Sequence, residues 1–269
     1  MSLLQNLLLV FIAGLITDLA TGLGAIPFFF QKKIESYWLV IMWGLASGIM
    51  LSASIFGLMP EAISTGTWFE ILFGLALGVA LVILGKKALE RYELEPGVFE
   101  EATFKKMILI LGVLTVHSFP EGVAIGVSFA ELGFDSGIPF YGFMIPPLAI
   151  IMTISISIHN IPEGVAISIP LKAMGMNKWK MLGATIFSSL PQPIGAVVAF
   201  LFVRQVKQFV PVGFAFAAGA MIYLVLTEFV EEAAEEGEDL DDWRIPFAVG
   251  TVVGFIIMIA LGFSLDYGF

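Results

Sequence analysis

Two nine-residue segments carry the residues most suited to chemistry in this chain. The first, "HSFPEGVAI", begins at His117, and the second, "HNIPEGVAI", begins at His159, forty-two positions later. These are the only two histidines among the 269 residues. Residues i and i+4 of a helix lie on one face, so His117 projects beside Glu121, and His159 beside Glu163. Each segment therefore offers one imidazole and one carboxylate on the same side.

Two such segments packed antiparallel would bring two nitrogen and two oxygen donors together. This donor set suits a borderline divalent ion such as zinc or ferrous iron, and the chain has no cysteine to add a thiolate. The alternative is that each glutamate is protonated, or hydrogen-bonded to its own histidine, and only joins two helices. The repetition of the whole motif, with every histidine inside it, favours the metal site.

Each segment also contains a proline and a glycine beside these side chains. Pro120 and Pro162 have no N–H to donate to the preceding turn, which predicts a kink and one freed carbonyl in each helix. Freed carbonyls at membrane depth are tolerated where they line a wet cavity or meet a ligand. Gly122 and Gly164 leave room for another helix to approach closely.

Both segments lie in stretches that are apolar enough for a lipid bilayer. Hydrophobic residues make up 58% of the chain, charged residues make up 13%, and the mean hydropathy is +0.96. About 20 apolar residues cross a bilayer, so we predict an all-α polytopic membrane protein with a single transmembrane domain over residues 1–269. The first span lacks the basic start and the cleavage site of a signal peptide, so we expect it to be retained. The eight predicted spans are residues 3–29, 37–59, 67–86, 107–129, 146–170, 181–203, 209–230 and 245–265.

Lysine and arginine in the loops predict the orientation, because cytoplasmic loops carry a basic excess. Eleven of the thirteen basic residues fall in the loops after spans 1, 3, 5 and 7, and only Arg204 and Lys207 lie on the other side. We therefore expect a multi-pass plasma-membrane protein with both termini extracytoplasmic. The segment from Glu228 to Asp242 holds nine carboxylates. It would emerge in the cytoplasm as a solvated helix end and loop, or as a surface that attracts cations.

Two internal repeats organise the spans. One is the histidine segment, which recurs after 42 residues in spans 4 and 5, and the other is a weaker repeat that relates spans 1–3 to spans 6–8. A shift of 171 aligns "TDLATGLGA", which begins at Thr17, with "SSLPQPIGA", which begins at Ser188; spans 2 and 3 align with spans 7 and 8 at shifts of 171 and 176. Corresponding spans differ by five in order, so they cross the membrane in opposite directions. We therefore predict inverted repeats in a 3+2+3 arrangement, which is typical of transporters with a site at the midplane. The GxxxG spacings in spans 3 and 8 predict close helix packing.

Three further carboxylates lie within or near the predicted spans. Asp18 in span 1 aligns with Ser189 under the repeat, and we expect it either to bond a neighbouring helix or to lie on the path of an ion. Glu61 and Glu228 lie near span ends, where a solvated carboxylate is the default expectation.

Taken together, these features resemble the ZIP (Zrt/Irt-like) family of divalent metal-ion transporters, and its prokaryotic members most of all. The resemblance covers the eight spans and the outward termini. It also covers "HSFPEG" in span 4, "HNIPEG" in span 5 and "GLASGIMLSASIFGLMPEA" in span 2. The paired histidine segments are its specific part, and the span 2 pattern only supports them.

The resemblance implies a metal centre in the middle of the membrane. The residues that it implies for the main site are His117, Glu121, His159 and Glu163, with Met50 of span 2 as a further contact. A neighbouring second site would draw on Ser118, Asn160 and Gln192 and share the two glutamates. Gln192 stands where many relatives have glutamate, and Ser118 where many have asparagine, so we do not expect a second ion to bind tightly.

The resemblance also implies import by alternating access, with spans 1, 4, 5 and 6 carrying the ion and spans 2, 3, 7 and 8 supporting them. Zinc is the first candidate ion, and iron, cadmium and manganese are the others. No prosthetic group is expected. The expected partners are divalent cations and the lipid bilayer, with a homodimer left open. Proton competition for the same ligands is a hypothesis for release.

Two other classes of protein are compatible with the same four ligands. An intramembrane metalloenzyme would use an open coordination position to activate water. No nucleophile or HExxH-type base lies beside the ligands, so we predict that the chain is not an enzyme. A structural or sensory protein would bind the metal tightly without flux. The sequence lacks phosphate-binding glycine loops and nucleic-acid-type basic surfaces, so it gives no support to ATP-driven pumping or nucleic-acid binding.

Overall fold

The computed structural model describes residues 2–30, 34–90, 118–130, 132, 137–140 and 142–264. Within these residues, seven helical stretches are long and apolar enough to cross a membrane. They are Leu3–Phe29 (span 1), Ser36–Thr65 (span 2), Trp68–Ala88 (span 3), Pro147–Ile169 (span 5), Lys178–Gln205 (span 6), Lys207–Glu236 (span 7) and Arg244–Ser264 (span 8). The described part of span 4 is helical over residues 118–128, and the earlier part, with His117, lies outside the described residues. The prediction of an all-α polytopic membrane protein is confirmed.

Local polar residues define where two of these helices begin. The hydroxyl of Ser2 accepts a hydrogen bond from the backbone N–H of Gln5 at 3.3 Å, and the Gln5 side chain accepts one from the N–H of Ser2 at 3.0 Å. This reciprocal pair is a capping box. At the start of span 6, the side chain of Asn177 accepts from the N–H of Trp179 at 2.9 Å. These caps satisfy N–H groups that have no partner within the helix.

Spans 3, 5 and 8 are continuous α-helices, whereas span 1 changes its winding near its end. The continuous helices are Trp68–Glu90, Pro147–Ala173 and Arg244–Ser264. Span 5 is therefore α-helical on both sides of Pro162, and the proline does not end the helix. In span 1 the α-helix Leu3–Leu23 is followed by a 3₁₀ turn at Ile26–Phe29.

Spans 2 and 7 each contain a π-helical segment that the sequence pattern did not predict. The segments are Ala53–Leu58 and Val225–Phe229. A shift of 171 moves residues 53–58 onto 224–229, so the two segments occupy equivalent positions of the repeat. Both spans continue as α-helix beyond them, over Met59–Thr65 and Val230–Glu236. The prediction that span 2 ends near residue 59 is wrong, because the helix continues through Pro60 to Thr65 directly after the π-helical segment.

Span 6 is interrupted in its middle, which corrects the continuous helix predicted over residues 181–203. One helix, Lys178–Ser188, ends in a two-residue turn, and a second helix, Pro191–Gln205, begins directly after it. Two prolines of "SLPQP", Pro191 and Pro193, remove N–H donors at this point, so the backbone hydrogen bonds of the first helix cannot continue through it. The sequence signal for the break was therefore present at these prolines.

Glycines determine how closely the helices of the two halves pack. A methyl group added to Gly254 of span 8 would overlap the carbonyl oxygen of Leu45 in span 2, and one added to Gly78 of span 3 would overlap the carbonyl oxygen of Phe216 in span 7. Leu45 and Phe216 are 171 positions apart, and the two glycines are 176 apart, so the contacts are equivalent under the repeat. The prediction that the GxxxG spacings serve close packing is confirmed, and the full 3+2+3 arrangement stays a prediction.

The acidic end of span 7 departs from the expectation of a solvated carboxylate at Glu228. This residue is 9% exposed, and its carboxylate lies 2.9 Å from Nζ of Lys86 in span 3. That expectation is wrong for Glu228 because the π-helical segment carries it next to a lysine of a neighbouring helix. The helix then continues to Glu236 instead of ending near residue 230.

A short β-hairpin lies between spans 4 and 5 and was not predicted. Its strands, Ile138–Phe140 and Phe143–Ile145, pair antiparallel with Ile138 opposite Ile145. Gly142 in the turn has a φ of 83°, a conformation that glycine adopts readily. The hairpin shows that the connection between the two histidine segments is not an open loop throughout.

Candidate metal centre

Glu121 of span 4 lies beside His159 and Glu163 of span 5 in the interior of the helix bundle. Nε2 of His159 is 3.2 Å from Oε1 of Glu121 and 3.9 Å from Oε1 of Glu163. One ligand atom from each residue lies within 4.8 Å of the others, and all three side chains are buried. Among the described residues, this is the one group of three histidine or acidic side chains close enough to hold a metal ion.

The local structure follows from the spacing of the sequence motif. His159 and Glu163 are four residues apart in the helix Pro147–Ala173, so both side chains point to the same side. Glu121 comes from the helical residues 118–128 of the neighbouring span. The structure therefore brings together three of the four residues predicted for the main site. His117, the fourth, lies outside the described residues.

Two amide side chains hold the outer oxygen of Glu121. Nε2 of Gln192 donates a hydrogen bond to Oε2 of Glu121. Nδ2 of Asn160 in turn donates to Oε1 of Gln192 at 3.0 Å and to the backbone carbonyl of Thr17 at 2.8 Å. These four residues form a relay, the Thr17–Asn160–Gln192–Glu121 relay, that joins spans 1, 5, 6 and 4. Because an amide N–H has no lone pair, Gln192 in this orientation supports Glu121 and offers no ligand beside it.

Two oxygen atoms at the centre have no hydrogen-bond partner among the described residues. They are Oε1 of Glu163 and Oδ1 of Asn160, and both are buried. Most buried polar atoms in proteins are hydrogen-bonded, so each exception needs a reason. A cation bound at the centre would interact with both of these oxygen atoms and so offset their lack of hydrogen bonds. The donor set of one imidazole nitrogen and carboxylate oxygens fits a borderline divalent ion such as zinc.

Ser118 and Met50 were also predicted to lie at the centre. Ser118 is 1% exposed, and it precedes Glu121 by three residues in the same helix. Met50 is fully buried in the apolar core, within the helix Ser36–Ser52. Their roles as ligands stay predictions.

Close helix contacts surround the centre at two equivalent glycines. A methyl group on Gly164 would overlap the carbonyl oxygen of Thr21 in span 1, and one on Gly122 would overlap that of Gln192 in span 6. Thr21 and Gln192 are 171 positions apart, and the glycines are 42 apart, so both repeats are visible in one pair of contacts. The prediction of close approach at these glycines is confirmed, with spans 1 and 6 as the neighbours.

Two features flank the centre along span 5. On the side of residue 147, Oγ of Ser155, one helical turn before His159, lies 2.8 Å from Sδ of Met258 in span 8. On the side of residue 173, Trp43 of span 2 and Val165 of span 5 are among the apolar residues that line a narrow cleft between these spans. The three ligand side chains themselves are at most 1% exposed.

The hydrogen bond from Asn160 to the carbonyl of Thr17 was not predicted. Every residue has a backbone carbonyl, so the residue type at position 17 gives no indication of it. The repeat was the available pointer, since it aligns the segment after Thr17 with the segment that contains Gln192. The same alignment predicts that spans 1 and 6 meet the two histidine segments in equivalent ways.

Known zinc transporters are similar to this chain in sequence. The family model "ZIP Zinc transporter" matches residues 97–262. The zinc transporter ZupT of Chlorobaculum parvum is 30% identical over 97% of this chain and 98% of its own length. The zinc transporter GufA of Myxococcus xanthus is 28% identical over 94% of this chain and 98% of its own.

A plant protein shows a higher identity over a shorter part of its length. A putative zinc transporter of Arabidopsis thaliana is 38% identical over 81% of this chain, and the match spans 33% of that relative's own length. The family model covers more than half of the chain, and the ZupT match covers nearly all of both proteins. The chain therefore belongs to the ZIP zinc transporter family, a family of transporters and not of enzymes.

Proposed function

We propose that this chain moves zinc across a membrane toward the cytoplasm by alternating access, and that the ion binds at Glu121, His159 and Glu163. The observation that carries the proposal is the buried group of two carboxylates and one imidazole, with an unsatisfied oxygen on Glu163. We also propose that residues 1–269 form one transmembrane domain. The relatives matched here are named as zinc transporters, which favours zinc; iron, cadmium and manganese are alternatives with similar ligand preferences.

The energetics of the buried carboxylates support a cation as their partner. A charged side chain at the centre of a membrane helix costs on the order of 3 kcal/mol or more. Glu121 and Glu163 are both buried at the same centre, so their charges would also repel one another. One divalent ion would neutralise both. Release needs modest affinity, and protons compete with metal for histidine and glutamate ligands.

The proposed ligand set extends beyond the three described side chains. His117 is proposed as a fourth ligand because it precedes Glu121 by four residues in the motif shared with His159. Met50 and Ser118 are proposed as neighbours of the ion. Gln192 and Asn160 are proposed to hold Glu121 in place. Gln192 would have to turn its amide to ligate an ion, whereas Oδ1 of Asn160 has no hydrogen-bond partner among the described residues and could ligate without turning.

Alternating access needs two groups of helices that move relative to one another. The close glycine contacts support the proposed division, since they join span 5 to span 1, span 4 to span 6, span 2 to span 8 and span 3 to span 7. Two other glycines of the described residues contact the opposite group: Gly57 of span 2 meets Cε of Met152, and Gly213 of span 7 meets Cγ1 of Val127. Both contacts are with side-chain atoms, whereas the four above are with backbone. The carrying group would move its ligands from one side of the membrane to the other.

The proposed location is the plasma membrane, with both termini outside the cytoplasm, as the loop charges indicate. Large apolar side chains on the outer faces of spans 3 and 8 suit contact with lipid: Phe69 is 78% exposed and Phe263 is 67% exposed. A homodimer is proposed as the assembly, and crosslinking of single cysteines placed on the exposed face of span 3 would test it.

Zinc uptake into liposomes tests the function. Purified protein would be reconstituted into liposomes loaded with a zinc-sensitive dye, and uptake would be compared for the parent chain, Glu163→Gln and Gly183→Ala. The first variant keeps the side-chain volume but removes the charge, and we expect uptake to fall about 100-fold. Gly183 has no atom within 4 Å of an added methyl group, so its variant should transport normally.

Two results would contradict the proposal. Tight zinc binding without any uptake by the parent chain would indicate a structural or sensory metal-binding protein. Normal uptake by Glu163→Gln would show that the ion crosses elsewhere.

A further inference from the structure

We propose that Asp18, facing the break in span 6, forms a second binding position for the transported divalent cation. This inference rests on the proposed function, since the ion is the same cargo. Asp18 is 1% exposed, and its Oδ1 atom has no hydrogen-bond partner among the described residues. An ionisable side chain inside a membrane helix marks an ion pathway by default, because nothing apolar offsets its cost.

The packing of span 1 determines where Asp18 points. A methyl group on Gly14 would lie 2.6 Å from Cα of Pro193, and one on Gly22 would lie 2.7 Å from Cγ1 of Ile186. Gly14, Asp18 and Gly22 are spaced by four residues, so they lie along one ridge of the helix. Asp18 therefore faces span 6 between Ile186 and Pro193, at the turn that separates the two helices of that span.

This turn supplies oxygen acceptors and few donors. Pro191 and Pro193 have no N–H, and the N–H of Gln192 donates to the carbonyl of Ser189 at 2.9 Å. The beginning of the second helix therefore has no spare N–H in its first turn to satisfy a carboxylate. For the same reason, the carbonyl of Ser188 has lost its usual helical donor. A carboxylate and a carbonyl oxygen repel one another when no donor lies between them. A divalent cation removes this repulsion, because both oxygens can bind it.

Hydroxyl groups complete the surroundings of this turn. Oγ1 of Thr21, one helical turn after Asp18, donates to Oγ of Ser189 at 2.9 Å. Both residues therefore lie at the interface that Asp18 faces. Together with Asp18 and the carbonyl of Ser188, they make a set of oxygen ligands, one of which is charged.

The position is directly connected to the main centre. Thr17, the residue before Asp18, accepts the hydrogen bond from Asn160 that begins the Thr17–Asn160–Gln192–Glu121 relay. Ser189 precedes Gln192 of the same relay by three residues. By the predicted topology, Ser189 lies on the cytoplasmic side of Gln192. An ion leaving the main centre toward the cytoplasm would thus meet Asp18 next.

The chemistry of this position predicts weak binding. It offers one carboxylate and otherwise neutral oxygens, without the imidazole that makes the main centre suitable for zinc. A weak position suits an ion in transit, since a tight one would slow its release. We therefore expect two classes of bound divalent ion in the purified protein, one tight and one weak.

Equilibrium dialysis with cadmium ions alone would test this inference. The parent chain in detergent should bind one tight and one weak ion per chain. Asp18→Asn, which keeps the volume of the side chain, should lose the weak ion and keep the affinity of the tight one. Glu163→Gln should lose the tight ion, and Gly183→Ala should bind both. In liposomes, Asp18→Asn should lower the maximal uptake rate about tenfold, the change equivalent to 1.4 kcal/mol, with KM unchanged.

The outcomes separate the two proposals. If the parent chain binds one ion that Glu163→Gln removes and Asp18→Asn leaves unaltered, with normal uptake in Asp18→Asn, this inference is wrong and the proposed function stands. If the parent chain binds no ion, both are wrong. An Asp18→Asn protein that loses both ions would also overturn the inference, provided that its helical circular dichroism matches the parent chain.

Discussion

Glu121 contacts both a proposed metal ligand and a supporting amide in this centre. Its Oε1 atom faces His159 at 3.2 Å, and its Oε2 atom accepts a hydrogen bond from Gln192. Oε2 is thus held by an amide, and an ion would replace the hydrogen bond between Oε1 and Nε2 of His159. Asn160 fixes the Gln192 amide through its oxygen at 3.0 Å. The orientation of the centre therefore depends on a neutral amide, and in this chain that amide stands where a carboxylate would add a charged ligand.

The variant Gln192→Glu should lower stability without metal and increase the effect of metal. A third buried carboxylate would face Oε2 of Glu121, and the lost hydrogen bond would cost roughly 1–3 kcal/mol. Zinc would relieve the repulsion and gain a ligand. We expect a lower Tm than the parent chain in chelator and a larger rise in Tm on adding zinc, measured by thermal unfolding in detergent. The isosteric variant Gln208→Glu, at an exposed position, is the control.

An equal zinc-induced rise in Tm for Gln192→Glu and the parent chain would contradict the role given to Gln192.

At the residue scale, the main ligands were predictable and their supports were not. His159 and Glu163 could be predicted because the i, i+4 spacing and the duplicated motif are properties of the sequence alone. The donor role of Gln192 depends on Asn160 and the Thr17 carbonyl, which only the fold brings beside it. The sequence showed which residue types were present, but not which end of the amide would face Glu121.

At the scale of the helices, glycine contacts hold the centre together. Span 5 approaches span 1 so closely that Gly164 has no space for a side chain, because the carbonyl of Thr21 fills it. Gly183 in span 6 faces open space instead. The two glycines thus differ in packing while sharing a helical environment, and this makes them a matched pair for mutation.

The variant Gly164→Ala should destabilise the protein, and Gly183→Ala should not. At Gly164 the methyl group would push spans 1 and 5 apart, and overpacking of this kind costs roughly 1–3 kcal/mol or more. At Gly183 alanine should be neutral or stabilising by up to about 1 kcal/mol, since it is the better helix former. The measurement is denaturant unfolding in detergent, with zinc affinity as a second readout. Equal stability of both variants would contradict the packing described here.

The positions of the helices were predictable, and their irregularities were not. Hydropathy over some 20 residues averages out local detail, so spans such as Pro147–Ile169 were located within a few residues. The π-helical segments at Ala53–Leu58 and Val225–Phe229 arise from a shift in hydrogen bonding that hydropathy does not report. The break in span 6 had a signal in Pro191 and Pro193, because paired prolines remove donors.

At the scale of the whole molecule, the two repeats give the centre two equivalent sides. Gly122 meets Gln192 as Gly164 meets Thr21, and these pairs are related by the 42-residue and 171-residue shifts. Inverted repeats allow one site to open alternately toward each side of the membrane. In the structure described here the three ligand side chains are buried, and Ser155 lies against Met258 on one side of them.

The predicted orientation can be measured with single cysteines, since the chain has none of its own. We expect Gln208→Cys to react with a membrane-impermeant maleimide on intact cells and Lys180→Cys to react only after permeabilisation. Both positions are exposed, and the expectation follows from the basic excess in the loops. The opposite labelling pattern would reverse the orientation and, with it, the side of the membrane on which Asp18 would release its ion.

The most direct test of the central claim is an anomalous diffraction map of crystals grown with zinc. We predict a zinc peak at about 2.0–2.2 Å from Nε2 of His159 and from an oxygen of Glu121 or Glu163. The same map for Glu163→Gln should show this peak weakened or lost. A strong zinc peak elsewhere in the spans, with these three side chains unoccupied in a protein that still transports zinc, would contradict the account.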